Sequence, residues 1–138
     1  MGEDTIAASI SFCLVCDDVR KEMSGKDTLV GVYSGDLVVE TLPATLMIAL
    51  YIGFTPSQTG LQQLRVRALF DETCVFEATA TLNVEVNAAF CFGTPKMLIP
   101  CGGEGEIVFQ AAIKDTGEWT DIQRKQVAVQ APPKMAPA

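Results

Sequence analysis

Residues Phe12 to Val39 read FCLVCDDVRKEMSGKDTLVGVYSGDLVV, and this stretch decides the fold class. Two apolar, alternating runs flank a short polar link that ends in Ser24-Gly25-Lys26-Asp27. Alternation with a period of two marks a β-strand, and a polar, glycine-containing link between two such runs marks a turn. The segment therefore predicts strand, charged turn, strand. It also carries the densest charge of the chain, in Asp17, Asp18, Arg20, Lys21, Glu22, Lys26 and Asp27.

Working outward, residues 1–8 show no such pattern and read as a flexible arm. The first strand is expected from Ser9 to Asp17, with Ile10, Phe12, Leu14 and Cys16 on one face and Ser11, Cys13 and Val15 on the other. Neither face is polar, so both need cover, one from an opposite sheet and the other from a partner or the arm. The second strand starts near Thr28, breaks at Ser34-Gly35-Asp36 and resumes as Leu37-Val38-Val39. A glycine inside a strand pattern marks a bend, here read as a passage from one sheet to the other. Pro43 opens a third strand through Phe54, apolar on both sides and therefore central.

The cleanest alternation follows. Leu64, Val66, Ala68 and Phe70 oppose Arg65 and Arg67, and after Asp71-Glu72-Thr73 a run from Phe76 to Val86 alternates with Glu77, Thr79, Thr81, Asn83 and Glu85. This is a hairpin with one wet face, on which the arginines can pair with Glu77. Phe90–Phe92, Met97–Ile99, Glu106–Lys114 and Val127–Val129 supply further strands, with turns at Gly102-Gly103 and at Asp115-Thr116-Gly117. Trp119 to Gln130 reads as a last strand segment, with a short helical turn over Asp121 to Lys125 as the alternative, and Trp119 as a core or sheet-edge aromatic. The tail 131–138, APPKMAPA, is too rich in proline to join a sheet. The sum is an all-β fold, an antiparallel β-sandwich of roughly seven to nine strands, Ig-like or C2-like, with no long helix. It occupies a single domain, residues 9–130.

Composition narrows the function. A formal charge of −7 with ten dispersed Lys and Arg argues against nucleic-acid binding. No apolar run reaches the roughly 18 residues of a membrane span, and no cationic segment leads an apolar run as in a secretory leader. A cytoplasmic protein is expected. The chain has no histidine, which removes Ser-His-Asp and Cys-His catalysis and the usual zinc hydrolase sites. Five cysteines without a secretory context read as reduced thiols. Cys13 and Cys16 are spaced like a metal or redox pair, but an offset of three along a strand points them to opposite faces. Cys101, beside Gly102-Gly103, is expected to be the exposed thiol. Gly102-Gly103-Glu104-Gly105 lacks the strand, helix and Lys-Ser/Thr context of a phosphate loop and reads as a hairpin turn, and no cofactor is expected.

The acids Asp17, Asp18, Glu22, Asp27 and Asp36 are the kind of oxygen cluster that calcium takes between sandwich loops. Arg20, Lys21 and Lys26 are interleaved with them and would neutralise such a site. At these residues the chain resembles a known family. Cys16-Asp17-Asp18-Val19-Arg20 and Glu22, then Gly25-Lys26 and Val30-Gly31-Val32-Tyr33, are similar to an uncharacterised bacterial family marked by a CDD[IV]R…GK…[IV]G[IV]Y segment. The resemblance implies a small β-rich bacterial or phage-associated domain and no particular reaction. Asp17, Asp18, Arg20, Glu22 and Lys26 are the candidate binding residues. The expected role is a non-catalytic protein–protein interaction or structural module, self-associating or bound to a protein partner. A calcium- or ligand-binding C2-like module using residues 17–36 is the second reading.

Overall fold

Strands with one apolar face bury it by stacking two sheets, and that is the arrangement here. The computed structural model describes residues 10–56, 59–85, 88–113 and 118–130. The expected arm 1–8, the tail 131–138 and the turn at Asp115-Thr116-Gly117 lie outside the described residues.

Ten strands follow one another: β1 (Ile10–Lys21), β2 (Asp27–Val32), β3 (Leu37–Val39), β4 (Ala44–Phe54), β5 (Gly60–Phe70), β6 (Thr73–Val84), β7 (Phe90–Gly93), β8 (Met97–Cys101), β9 (Gly105–Ile113) and β10 (Thr120–Val129). No helix occurs among the described residues, none being long and apolar enough to cross a membrane. One sheet runs β2-β1-β4-β7, with β8 also on β4, and the other runs β3-β10-β9-β5-β6. Between them lies a core of Cys13, Val15, Leu50, Ile52, Phe109 and their neighbours.

β4 is central, as its two-sided apolar sequence requires. It pairs with β1 on one side, and on the other first with β8 along its lower half and then with β7 along its upper half. The break at Ser34-Gly35-Asp36 is a change of sheet: β2 pairs with β1 in the first sheet, and β3 pairs with β10 in the second. The β3–β10 pairing is parallel, the one departure from the expected antiparallel order among the described strands. Leu37 drops its side chain into the core from this short strand.

One alternative is settled and two expectations need correction. Asp121 to Lys125 is strand, not a helical turn, because β10 pairs with β9 along this run with a bulge between Asp121 and Gln123. Ile122 then packs on the core, and the Gln123 amide donates to the Cys13 carbonyl of the opposite sheet at 2.8 Å. Gly102-Gly103 does not close a hairpin, since β8 and β9 belong to different sheets. Cys101, which precedes it, is buried, because its position opposite Ala44 turns it into the core, and Cys74 is the exposed thiol instead.

Candidate interaction surface

The first half of β1 alternates as its sequence dictates, after a bulge between Ile10 and Phe12. The bulge turns Ile10 onto the core, away from the face it was expected to share with Phe12. Cys13, opposite Ile52, and Val15, opposite Leu50, point into the core. Leu14, opposite Tyr51, and Cys16, opposite Ala49, point outward. Cys13 and Cys16 are thus on opposite faces and remain free thiols. Burial pushes Cys13 up to about 12, with the nearby Cys16 adding to the effect. Cys16 is also pushed up by burial, and its thiol donates to the Ala49 carbonyl.

Cys16 is buried although it faces outward, because the rest of β1 does not continue along β4. Past Cys16 the strand leaves the β4 ladder and pairs with β2 alone. Val19 comes to rest against Gly93, where an added Cβ would lie 2.5 Å from a Val19 methyl. The Tyr51 hydroxyl donates to Asp27 at 2.8 Å, and Lys96 stands 3.9 Å from Asp18. The β1–β2 hairpin therefore arches over the outward side of β4 and β7.

The five candidate residues all lie on this hairpin, where Asp18 meets Arg20, Glu22 meets Lys26 across the turn, and Asp17 has a partner of its own. Asp17 accepts the Tyr33 hydroxyl at 2.8 Å and lies against Gly31, whose φ of 65° and crowded Cα leave no room for a side chain. Asp18 pairs with Arg20 at 3.1 Å and with Lys96. Glu22 accepts the Thr28 hydroxyl at 2.7 Å, and its backbone exchanges bonds with Lys26 and Gly25 to close the turn. Lys26 contributes its carbonyl to that turn. Asp27 is shared between Tyr51 and Lys21. The arrangement brings Asp17, Asp18, Glu22 and Asp27 onto one hairpin but aims each at its own partner, and Asp36 lies apart from them in the link between β2 and β3. Among the described residues no group of three His, Cys, Asp or Glu converges as metal ligands would.

The two outward faces of the sandwich differ in kind. That of the second sheet carries ion pairs and hydrogen bonds, beside the exposed Leu61 and Val38. Arg65 pairs with Glu77 at 2.7 Å as expected, whereas Arg67 bonds Gln110 at 2.8 Å. Arg124 joins Glu106 and Asp121, which hold its guanidinium in the charged form beyond its ordinary range. Trp119 is not in the core; its ring lies over Arg65 and Arg67, with the nearer guanidinium 4.0 Å from the centroid.

The outward face of the first sheet is apolar. Around the arch it leaves Phe12 39%, Leu14 36% and Val32 46% exposed, together with the directly paired Met47 at 53% and Leu98 at 56%. Alternation put Phe12 and Leu14 on the same face of their strand, and the structure makes that face the outward one. What alternation missed is the arch, including Val19, Gly93, Lys96 and the Asp27–Tyr51 bond. The signal for it is the abrupt end of the unbroken apolar run Phe12 to Cys16 in two aspartates.

Comparison with protein-family models gives no match, and comparison with curated proteins gives no relative. The resemblance of the Cys16 to Tyr33 segment to a bacterial family rests on those residues alone.

Proposed function

We propose that this protein is a non-catalytic interaction or structural module of the bacterial cytoplasm whose docking surface is the outward apolar face of its first sheet. One observation carries the reading: five large apolar side chains, Phe12, Leu14, Val32, Met47 and Leu98, stay substantially exposed on one outward face. The opposite outward face carries ion pairs and hydrogen bonds, with Leu61 and Val38 as separate exposed apolar side chains among them. Soluble domains seldom leave such apolar surface uncovered without a partner for it. The acidic hairpin beside it supplies a polar rim, with Asp17, Asp18, Arg20, Glu22 and Lys26 setting orientation and not affinity.

Native mass spectrometry of the protein purified gently from its host tests this. The expected result is a homo-oligomer or a complex with a co-purified protein, lost in the double variant Leu14→Lys/Met47→Lys. That variant should keep the wild-type melting temperature, because both side chains are exposed. A monomer carrying the extra mass of a metal or small molecule would overturn the reading in favour of a ligand-binding module.

A further inference from the structure

Every open sheet has two edges, and the edges of this sandwich are unequal. β3 has three residues, β7 four and β8 five, while β2 has six and is interrupted by Gly31 at positive φ. β6 has twelve, and among the described residues it forms a ladder with β5 alone, although it approaches β8 across the space between the sheets. Its one bulge leaves Val75 unpaired near one end, so Phe76 to Val84 is regular.

Natural edge strands are blunted by Lys, Pro, bulges or brevity. From Phe76 to Val84 β6 has no Lys, Arg, Pro or Gly, and its one charge, Glu77, is taken up by Arg65. Glu77, Ala78, Thr79, Thr81 and Asn83 are exposed. A stretch so long, regularly paired and poor in charge is a template for another strand.

We propose that β6 pairs with β6 of a second copy of this chain, antiparallel about a two-fold axis through Ala80, joining the two β6-containing sheets into one. The register follows from self-complementarity. An axis normal to the sheet keeps core-facing residues opposite core-facing ones only if it passes through a residue. Through Ala80 it sets Phe76 against Val84, Ala78 against Leu82, Thr79 against Thr81 and Glu77 against Asn83. Every pair matches in face, and no like charges meet. An axis through Thr81 would put Glu77 against Glu85, and one through Thr79 would run the bulged Val75 against Asn83. The inference deepens the interaction-module reading and uses a surface other than the apolar face.

The test is sedimentation equilibrium of the full chain, wild type beside Thr79→Lys/Thr81→Lys and Thr79→Glu/Thr81→Glu. These positions oppose each other across the axis, so each double variant should dimerise roughly tenfold more weakly than wild type. An equimolar mixture of the two should recover a dimer, which also shows that both variants fold. In a Cys74→Ser background, Ala80→Cys should oxidise to a covalent dimer faster than Thr79→Cys. A dimer untouched by either charged variant, or a mixture no tighter than its components, overturns the pairing. If that dimer is instead lost in Leu14→Lys/Met47→Lys, edge pairing fails and the docking-face reading stands. A wild type monomeric at every concentration also removes edge pairing, while leaving the apolar face open to a different protein.

Discussion

Tyr33 and Tyr51 are the only tyrosines in the chain, and each hydroxyl donates to an aspartate, Tyr33 to Asp17 and Tyr51 to Asp27. A phenol beside a carboxylate resists ionising, because its phenolate would lose the bond and face a like charge. Burial, and then the bond to Asp17, push Tyr33 up to about 12. For Tyr51 the bond to Asp27 is the larger cause, with burial second, and the shift is again upward. The sign follows by linkage. A group whose folded value lies above its unfolded value of about 10 adds stability that is complete below pH 10. That contribution is lost as the pH climbs through the folded value. Phenolate absorbance should therefore stay flat through pH 10 in the native protein and rise near 12 together with unfolding. In denaturant the rise should return to about 10. A rise near 10 with the native circular dichroism intact would refute both bonds.

At the scale of elements the arch is the unit to test. Its contact with β7 depends on Gly93, since any Cβ there collides with Val19. Gly93→Ala should destabilise by about 1–3 kcal/mol, the range for overpacking a tight contact. It should also lower the pH at which tyrosine titrates, because lifting the arch takes Asp27 from Tyr51. Gly102→Ala, whose added carbon meets nothing within 4 Å, should stay within about 0.5 kcal/mol of wild type in the same denaturation series. The elements themselves were legible wherever one face is wet. The β5–β6 hairpin and β9 alternate cleanly because solvent holds one side polar. The sheet change at Ser34-Gly35-Asp36 was legible from its glycine. Asp121 to Lys125 was not, because a bulge in β10 displaces the period of two and leaves a run of polar residues that imitates a turn. The five hairpin residues were found as a charged group. Partners such as Arg20, Thr28 and Tyr33 are near in sequence, but Lys96 and Tyr51 were hidden, because the arch brings Asp18 of β1 and Asp27 of β2 onto residues far away in sequence.

At the scale of the whole molecule, stability and recognition are divided between different surfaces of the same sheets. The space between the sheets is filled by side chains such as Phe109, Leu37, Ile107 and Ile99, all fully buried. The second sheet's outward face carries exposed ion pairs such as those of Arg124. These two regions should respond to mutation very differently. Phe109→Ala removes a large ring from the centre of the packing and should cost about 3–5 kcal/mol, a large part of a small domain's stability. Arg124→Ala breaks two exposed surface pairs, which contribute little to stability, and added salt should shrink that difference further. Urea denaturation of both variants at low and high salt separates the two effects. Phe109→Ala should lower the midpoint at either ionic strength, and Arg124→Ala should lower it slightly and only at low salt. Equal losses in the two variants would mean that the charged network, not the space between the sheets, holds the sandwich together. The apolar outward face of the first sheet would then be the least protected part of the fold instead of a surface free to bind.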